Sequence, residues 1–137
     1  MLHKNSKIEL LKRVPLFAGC SKKELEHVAM VADEIDFTSG KRLIREGELG
    51  REFFILVGGT AEISRKGKAI DTAGPGDFFG EMALLADQPR NATVTTTSPV
   101  DALVVTARSF RDLIGDNPLI ALKVMRAVAE RLPPTAF

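Results

Sequence analysis

The chain has no tryptophan, no tyrosine, one cysteine and two histidines among its 137 residues. A lone cysteine, Cys20, rules out an internal disulfide and points to a reducing, cytoplasmic compartment. Following "LFAG", it reads as a small apolar residue rather than a reactive one. The histidines, His3 in an N-terminal tail and His27 on a helix among charges, are too few for the clustered ligands of a metal-dependent oxygenase. Both precede the strand-rich part of the chain, and His27 is expected in a solvated position. Long apolar runs are also missing: stretches such as "FFILV" cannot cross a bilayer, and "MLHKNSKIEL" lacks the apolar core of a signal peptide. Neither charge sign predominates, with Lys+Arg 19 against Asp+Glu 18, so no footprint for nucleic acid or anionic lipid is visible. The acidic cluster Asp33, Glu34 and Asp36 lacks calcium-loop spacing and reads as a solvated face. The hydroxyls of "TVTTT" have no His/Asp pair to activate them. No catalytic constellation is found, and no enzyme, cofactor or metal is expected.

What is present is a hydrophobic fraction of 45%, enough for one domain with a real core over residues 1–137. Residues 1–33 form a helical segment in which "SKIE" and "SKKE" are capping boxes that start helices near Ser6 and Ser21. Leu25, Val28, Ala29 and Ala32 give the second helix its core face. From 34 to 107 the period shortens. "EIDF", "KRLIRE", "EFFILVGG", "TAEISRK", "KAIDTAG", "ATVTTT" and "VDALVVT" are separated by Gly-, Pro- and Ser-rich turns. Such closely spaced short strands predict an antiparallel jelly-roll barrel, flanked here by N- and C-terminal helices, a mainly β or α+β class. Helices return over 108–132. Ser109 is expected to cap "FRDLIG", which Gly115 ends, and Asn117 to cap the next helix ahead of Pro118. The stripe Ala121, Leu122, Met125, Val128, Ala129 and Leu132 predicts an amphipathic face, and Met82 and Met125 are read as core. Pro133 and Pro134 stop the helix, leaving a tail at 133–137.

Within this frame, "FGEMALLADQPRNATV", residues 79–94, sets Glu81 and Arg90 in an otherwise apolar run. Gly74 and Gly76 just before it and Gly80 at its start would let backbone N–H groups approach a ligand. The start of a helical turn after Gly80 is an anion site, and the fork of Arg90, at the start of a strand, suits a phosphate. Glu81 would repel phosphate and suits a neutral donor such as a sugar hydroxyl. Phosphate and sugar together describe a nucleotide. A structural salt bridge, or two solvated charges, explains the same spacing. The Walker lysine is absent, so the run is no ATP-type loop.

The run resembles the phosphate-binding cassette of the cyclic nucleotide-binding domain family, F-G-E-x-A-L followed by R-x-A-T/S-V, without a gap between Glu81 and Arg90. "FTSGKRLIREGELGREFFILVGGTAEI" resembles the family's first half, with Gly40, Gly47 and Gly59 at its turns. "FRDLIGDNPLIALKVMRAVAERL" resembles the helices after the barrel in catabolite-activator-type regulators. The resemblance implies that Glu81 accepts from the ribose 2′-OH and that Arg90 pairs with the cyclic phosphate. It gives the N–H groups of Gly80, Met82 and Ala83, with Ala92 nearby, the phosphate oxygens and sugar. Phe79 supports the loop from the core, and Ile63 and Asp71 lie on the base-side wall. The implied ligand is cAMP, with cGMP as the alternative, and occupancy would move the flanking helices.

Two departures stand out. Asn91 follows the arginine where Ala, Ser or Thr is usual, and its amide serves either purine or faces solvent. The family's last helix caps the base, but here Pro133 ends it, so Thr135 and Phe137 would reach the base from an irregular tail. The alternatives are a transcription regulator's sensing part without its DNA-binding domain, and a degenerate domain retained for protein contacts. The chain alone is not expected to bind nucleic acid or a membrane. A homodimer, an output domain or a partner protein is open.

Overall fold

The computed structural model describes residues 4–86 and 88–130, apart from the side chains of 4–6, 82, 83 and 86. The chain runs through α1 (Lys4–Leu11), a 3-10 turn at Pro15–Phe17, and α2 (Lys22–Val31). Five strands follow: β1 (Asp33–Phe37), β2 (Arg42–Ile44), β3 (Glu52–Gly58), β4 (Ala61–Arg65) and β5 (Lys68–Ala73). After β6 (Phe78–Phe79) come α3 (Glu81–Ala86), β7 (Thr93–Thr96), β8 (Val100–Thr106), α4 (Ala107–Asp116) and α5 (Pro118–Glu130). The strands form two antiparallel sheets, β1-β8-β3-β6 and β2-β7-β4-β5. The result is an antiparallel jelly-roll sandwich flanked by helices, the fold class expected from the strand spacing.

Strand β3 explains its own run of apolar residues. Phe53 and Ile55 point to the helices, where they join Phe17, Leu25, Val28, Phe110, Leu113 and Ile120. Phe54 and Leu56 point to the second sheet, where they join Ala61 and Val94, with Ala102 of the neighbouring β8 in the same cluster. Side chains alternate across a strand, so one buried on both faces shows no alternation. Phe78 and Phe79 repeat the division: Phe78 lies 5.6 Å from Phe53 and Phe79 5.8 Å from Phe54, ring centre to ring centre. Two residues are too few for a periodic signal, and the sequence gives no sign of β6.

Helix boundaries differ from expectation where local hydrogen bonds compete. Ser21 and Glu24 form the expected capping box. Helix α1 starts at Lys4, which places Ser6 inside it rather than at its cap. Thr106, not Ser109, caps α4, its hydroxyl accepting from the Ser109 N–H at 3.2 Å. Gly115 lies within α4, which ends where Asn117 precedes a proline. On α5, Ile120 and Val124 are buried, whereas Leu122 and Met125 are 43% and 64% exposed. Met125 is therefore not core, and the expected stripe is rotated from the true buried face. Both arcs are apolar, so the pattern alone could not choose between them. Leu132, the proline stop, His3, Thr135 and Phe137 lie outside the described residues.

The turn glycines Gly40, Gly47 and Gly59 all have positive φ. At Gly59, φ is +88°, and an added Cβ would collide with the Pro99 carbonyl oxygen. Left-handed strain and a backbone clash together should cost Gly59→Ala about 2–4 kcal/mol. Urea denaturation checks this, and an unchanged midpoint would refute it.

The acidic cluster is only partly solvated. Asp36 stands opposite Asp101 across β1 and β8. Asp101 is half-buried, and its Oδ1 has no hydrogen-bond partner among the described residues. Burial, then the neighbouring charge and hydrogen bond of Glu34, then Asp36, push its carboxyl up from 3.8 to about 6. The folded chain thus holds a proton that the unfolded chain releases, so stability falls as pH rises through that window. Asp101→Asn should remove this decline and stabilise the fold near pH 7.5 by on the order of 1 kcal/mol, given solvent screening. Melting midpoints at pH 4.5 and 7.5 measure it, and an identical slope in the variant would refute it.

Candidate functional site

Backbone contacts fix Arg90 before any ligand is considered. Its N–H donates to the Glu48 carbonyl at 2.8 Å, its carbonyl accepts from Gly47 at 2.9 Å, and Leu49 bridges Pro89. The turn between β2 and β3 therefore holds the residue just ahead of β7, which begins only at Thr93 and not at Arg90. The side chain, 7% exposed, donates from Nη1 to the Gly80 carbonyl at 2.9 Å and from Nη2 to the Glu52 carbonyl at 2.6 Å. Burial lowers its pKa, while Glu52 and Glu81 oppose the shift. A guanidinium starts so far above neutrality that it stays charged. Glu81, at the start of α3, is 1% exposed. The two charges of the run are therefore both buried, which sets aside the reading of two solvated loop charges.

Gly80 is what lets Arg90 pack against the loop. Its φ is +100°, and a Cβ there would sit 2.7 Å from Arg90 Nη1 and 2.8 Å from the Glu52 carbonyl oxygen. Gly74 and Gly76 serve the scaffold instead, contrary to the sequence expectation. The Gly74 N–H donates to Asp77 Oδ2 at 2.8 Å, and the Gly76 N–H to the Leu56 carbonyl at 2.8 Å. Gly76 also leaves room for Pro15, whose Cδ would lie 3.1 Å from an added Cβ.

Gly80, Glu81, Arg90, Asn91 and Ala92 line one cavity of about 670 Å³, within the usual range for small-molecule sites. Ile63 and Asp71, in register across β4 and β5, form part of its wall. Met82 and Ala83 belong to α3, their side chains outside the described set. Phe79 is 6% exposed and stacks on Phe54, as expected of a residue supporting the loop from the core. Asn91 is exposed, and its carbonyl accepts from Arg65 Nε at 2.8 Å.

Several wall residues are not among the site residues read from the sequence: Ile70, Asp77, Val128, Glu130 and, above all, Arg65. Arg65 lies two residues beyond Ile63 on β4, and strand alternation puts both on one face, a signal the sequence did contain. Val128 and Glu130 place the last turn of α5 against the cavity. Arg111 of α4 donates to the Leu84 carbonyl of α3 at 3.3 Å, tying that helix to α4. A smaller cavity of about 400 Å³, lined by Leu43, Glu48, Leu49 and Arg51, lies behind Arg90. It lacks Gly80 and Glu81. Among the described residues no group of His, Cys, Asp or Glu could hold a metal ion, and no helix is long and apolar enough to cross a membrane.

The family model for the cyclic nucleotide-binding domain matches residues 34–117, more than half of the chain. The chain is 36% identical over 120 residues to a cGMP-dependent protein kinase of Eimeria tenella, covering 87% of this chain and 12% of that protein. It is 29% identical over 132 residues to a CRP-like cAMP-activated global transcriptional regulator of Mycobacterium tuberculosis, covering 93% of this chain and 59% of the regulator. The chain thus spans less than two thirds of either relative. The solved regulatory domain of Toxoplasma gondii PKA with cAMP superposes with a TM-score of 0.80 at 28% identity, covering 92% of this chain and 50% of that one.

Proposed function

Because the chain belongs to the cyclic nucleotide-binding domain family, we propose that it senses cAMP in the cavity bounded by Glu81 and Arg90 and performs no chemistry itself. One observation carries the reading: a carboxylate and a guanidinium, 1% and 7% exposed, both line the same cavity as Gly80. Burying two charges in one cavity is costly, and polar ligand groups offset that cost. A cyclic phosphate would add an anionic partner to the two carbonyls that Arg90 already holds, and a ribose hydroxyl would add a donor for Glu81. The N–H groups of Gly80, Met82 and Ala83, with Ala92, would hold the phosphate and sugar. Ile63 and Asp71 would flank the base, and Asn91 would stand at its edge. Thr135 and Phe137, from the tail, would cap it only weakly, so the affinity rests on the cassette. The relatives are a protein kinase and a transcriptional regulator, each much longer than the matched stretch, so an output domain or partner protein in a cytoplasmic setting is the natural context.

Arg65 favours cGMP as a second reading, because a guanidinium fork can donate to O6 and N7 of guanine but not to the adenine amine. Calorimetric titration of the full chain with cAMP and cGMP decides between them, and binding of neither would overturn the proposal. The same titration tests Glu81. Loss of the 2′-OH should weaken binding of 2′-deoxy cAMP by about 1.5–3 kcal/mol, the scale of a hydrogen bond to a charged group. Equal affinity would assign Glu81 to structure alone.

A further inference from the structure

The junction between α4 and α5 is held from outside by a residue expected to face solvent. Asn117 is 4% exposed, and its Nδ2 donates to the Leu113 carbonyl at 2.7 Å. That carbonyl lies in the last turn of α4, where no intrahelical donor remains for the closing carbonyls. The Asn117 backbone carbonyl accepts the Ala121 N–H at 3.0 Å, so the same residue closes α4 and opens α5. Its side chain does not cap α5, as the sequence suggested, but turns back. The same Nδ2 lies 3.0 Å from Nδ1 of His27 on α2.

Proton bookkeeping fixes the roles. A carbonyl needs a donor, so the amide nitrogen faces Leu113 and the amide cannot be flipped. Its second hydrogen then points at His27, whose Nδ1 must accept and whose proton sits on Nε2. This is a directional bond from the N-terminal helices to the root of α5. The other end of α5 places Val128 and Glu130 on the wall of the nucleotide cavity. Val128 is about 15 Å along the helix from Pro118 at 1.5 Å per residue, so a tilt of about 10° at Asn117 moves it roughly 2–3 Å.

We propose that His27 is a positioning residue for the cavity, holding Asn117 so that the last turn of α5 stays on the cavity wall. The inference rests on the proposed function for its ligand but not for its geometry. Occupancy and the His27–Asn117 bond are then coupled, each favouring the other.

The test uses the full chain with cAMP and cGMP as probes, together with hydrogen exchange of the α5 amides without ligand. His27→Leu should weaken nucleotide binding about fivefold, the scale of one neutral hydrogen bond, and speed exchange over 121–130. His27→Asn, whose Oδ1 can accept where Nδ1 does, should restore both to within about twofold. Should His27→Leu not fold, His27→Ala takes its place. Two-bond ¹H–¹⁵N spectra of the wild type should show His27 protonated on Nε2. A proton on Nδ1, unchanged exchange in His27→Leu, or failure of His27→Asn to rescue overturns the inference. If the wild type binds neither nucleotide, the proposed function fails, and exchange and rescue alone decide the role of His27.

Discussion

Arg90→Leu should weaken cAMP binding by about a hundred- to a thousandfold. The side chain is 7% exposed, and removing one partner of a buried charge pair costs about 3–5 kcal/mol, with each decade equal to 1.4 kcal/mol. The substitution also strips donors from the Gly80 and Glu52 carbonyls, so part of the loss will appear as lower stability. Arg90→Lys separates the two contributions. It keeps the charge but cannot span both carbonyls and a phosphate, so it should bind better than Arg90→Leu and still far below the wild type. Binding is measured by calorimetry after circular dichroism has established that each variant folds. An Arg90→Leu affinity within tenfold of the wild type would remove Arg90 from the ligand's contacts.

Gly80→Ala should act on the same guanidinium from the other side. Ordinary contacts at Cβ lie between 3.4 and 4 Å, but here Arg90 Nη1 and the Glu52 carbonyl oxygen would lie at 2.7 and 2.8 Å. The carbonyl is backbone and cannot swing away, so the loop and Arg90 must shift together. A φ of +100° adds strain for any residue with a side chain. Binding should weaken about ten- to a hundredfold, or about 1.4–2.8 kcal/mol, and stability should fall by about 2–3 kcal/mol. Titration and urea denaturation measure the two effects. Wild-type values in both would mean that the loop has a second arrangement in which Gly80 and Arg90 are apart.

All strands but the two-residue β6 were legible, because each is a short apolar or alternating run that ends at a turn residue whose backbone demands are local. The buried pair was legible for a related reason: Glu81 and Arg90 stand out chemically against apolar neighbours, and their spacing matches one family. Legibility failed where tertiary contacts chose between equivalent local options. The helical arc of α5 with Leu122 and Met125 is as apolar as the one that is buried. His27 looked solvated because its neighbours on α2 are charged, and its partner, Asn117, is ninety positions away. Arg65 was overlooked although alternation from Ile63 puts it on the same face. Asp101 could not have been singled out, since its raised carboxyl depends first on burial and then on the fold that brings Glu34 and Asp36 to it.

The split of Phe78 and Phe79 between the two cores limits how α3 can travel. A segment that begins one residue after a doubly anchored strand cannot slide along its own axis, because sliding would pull one ring or the other from its socket. At the far end, Pro89 and Arg90 are clasped by the backbone of the turn between β2 and β3. With both ends pinned, α3 can turn between them but not slide, like a skipping rope between two fixed hands. The Arg111 contact to the Leu84 carbonyl sits near the middle of the rope, where a swing has its largest amplitude. Whatever turns α3 therefore reaches α4 as a sideways push rather than as tension along the chain.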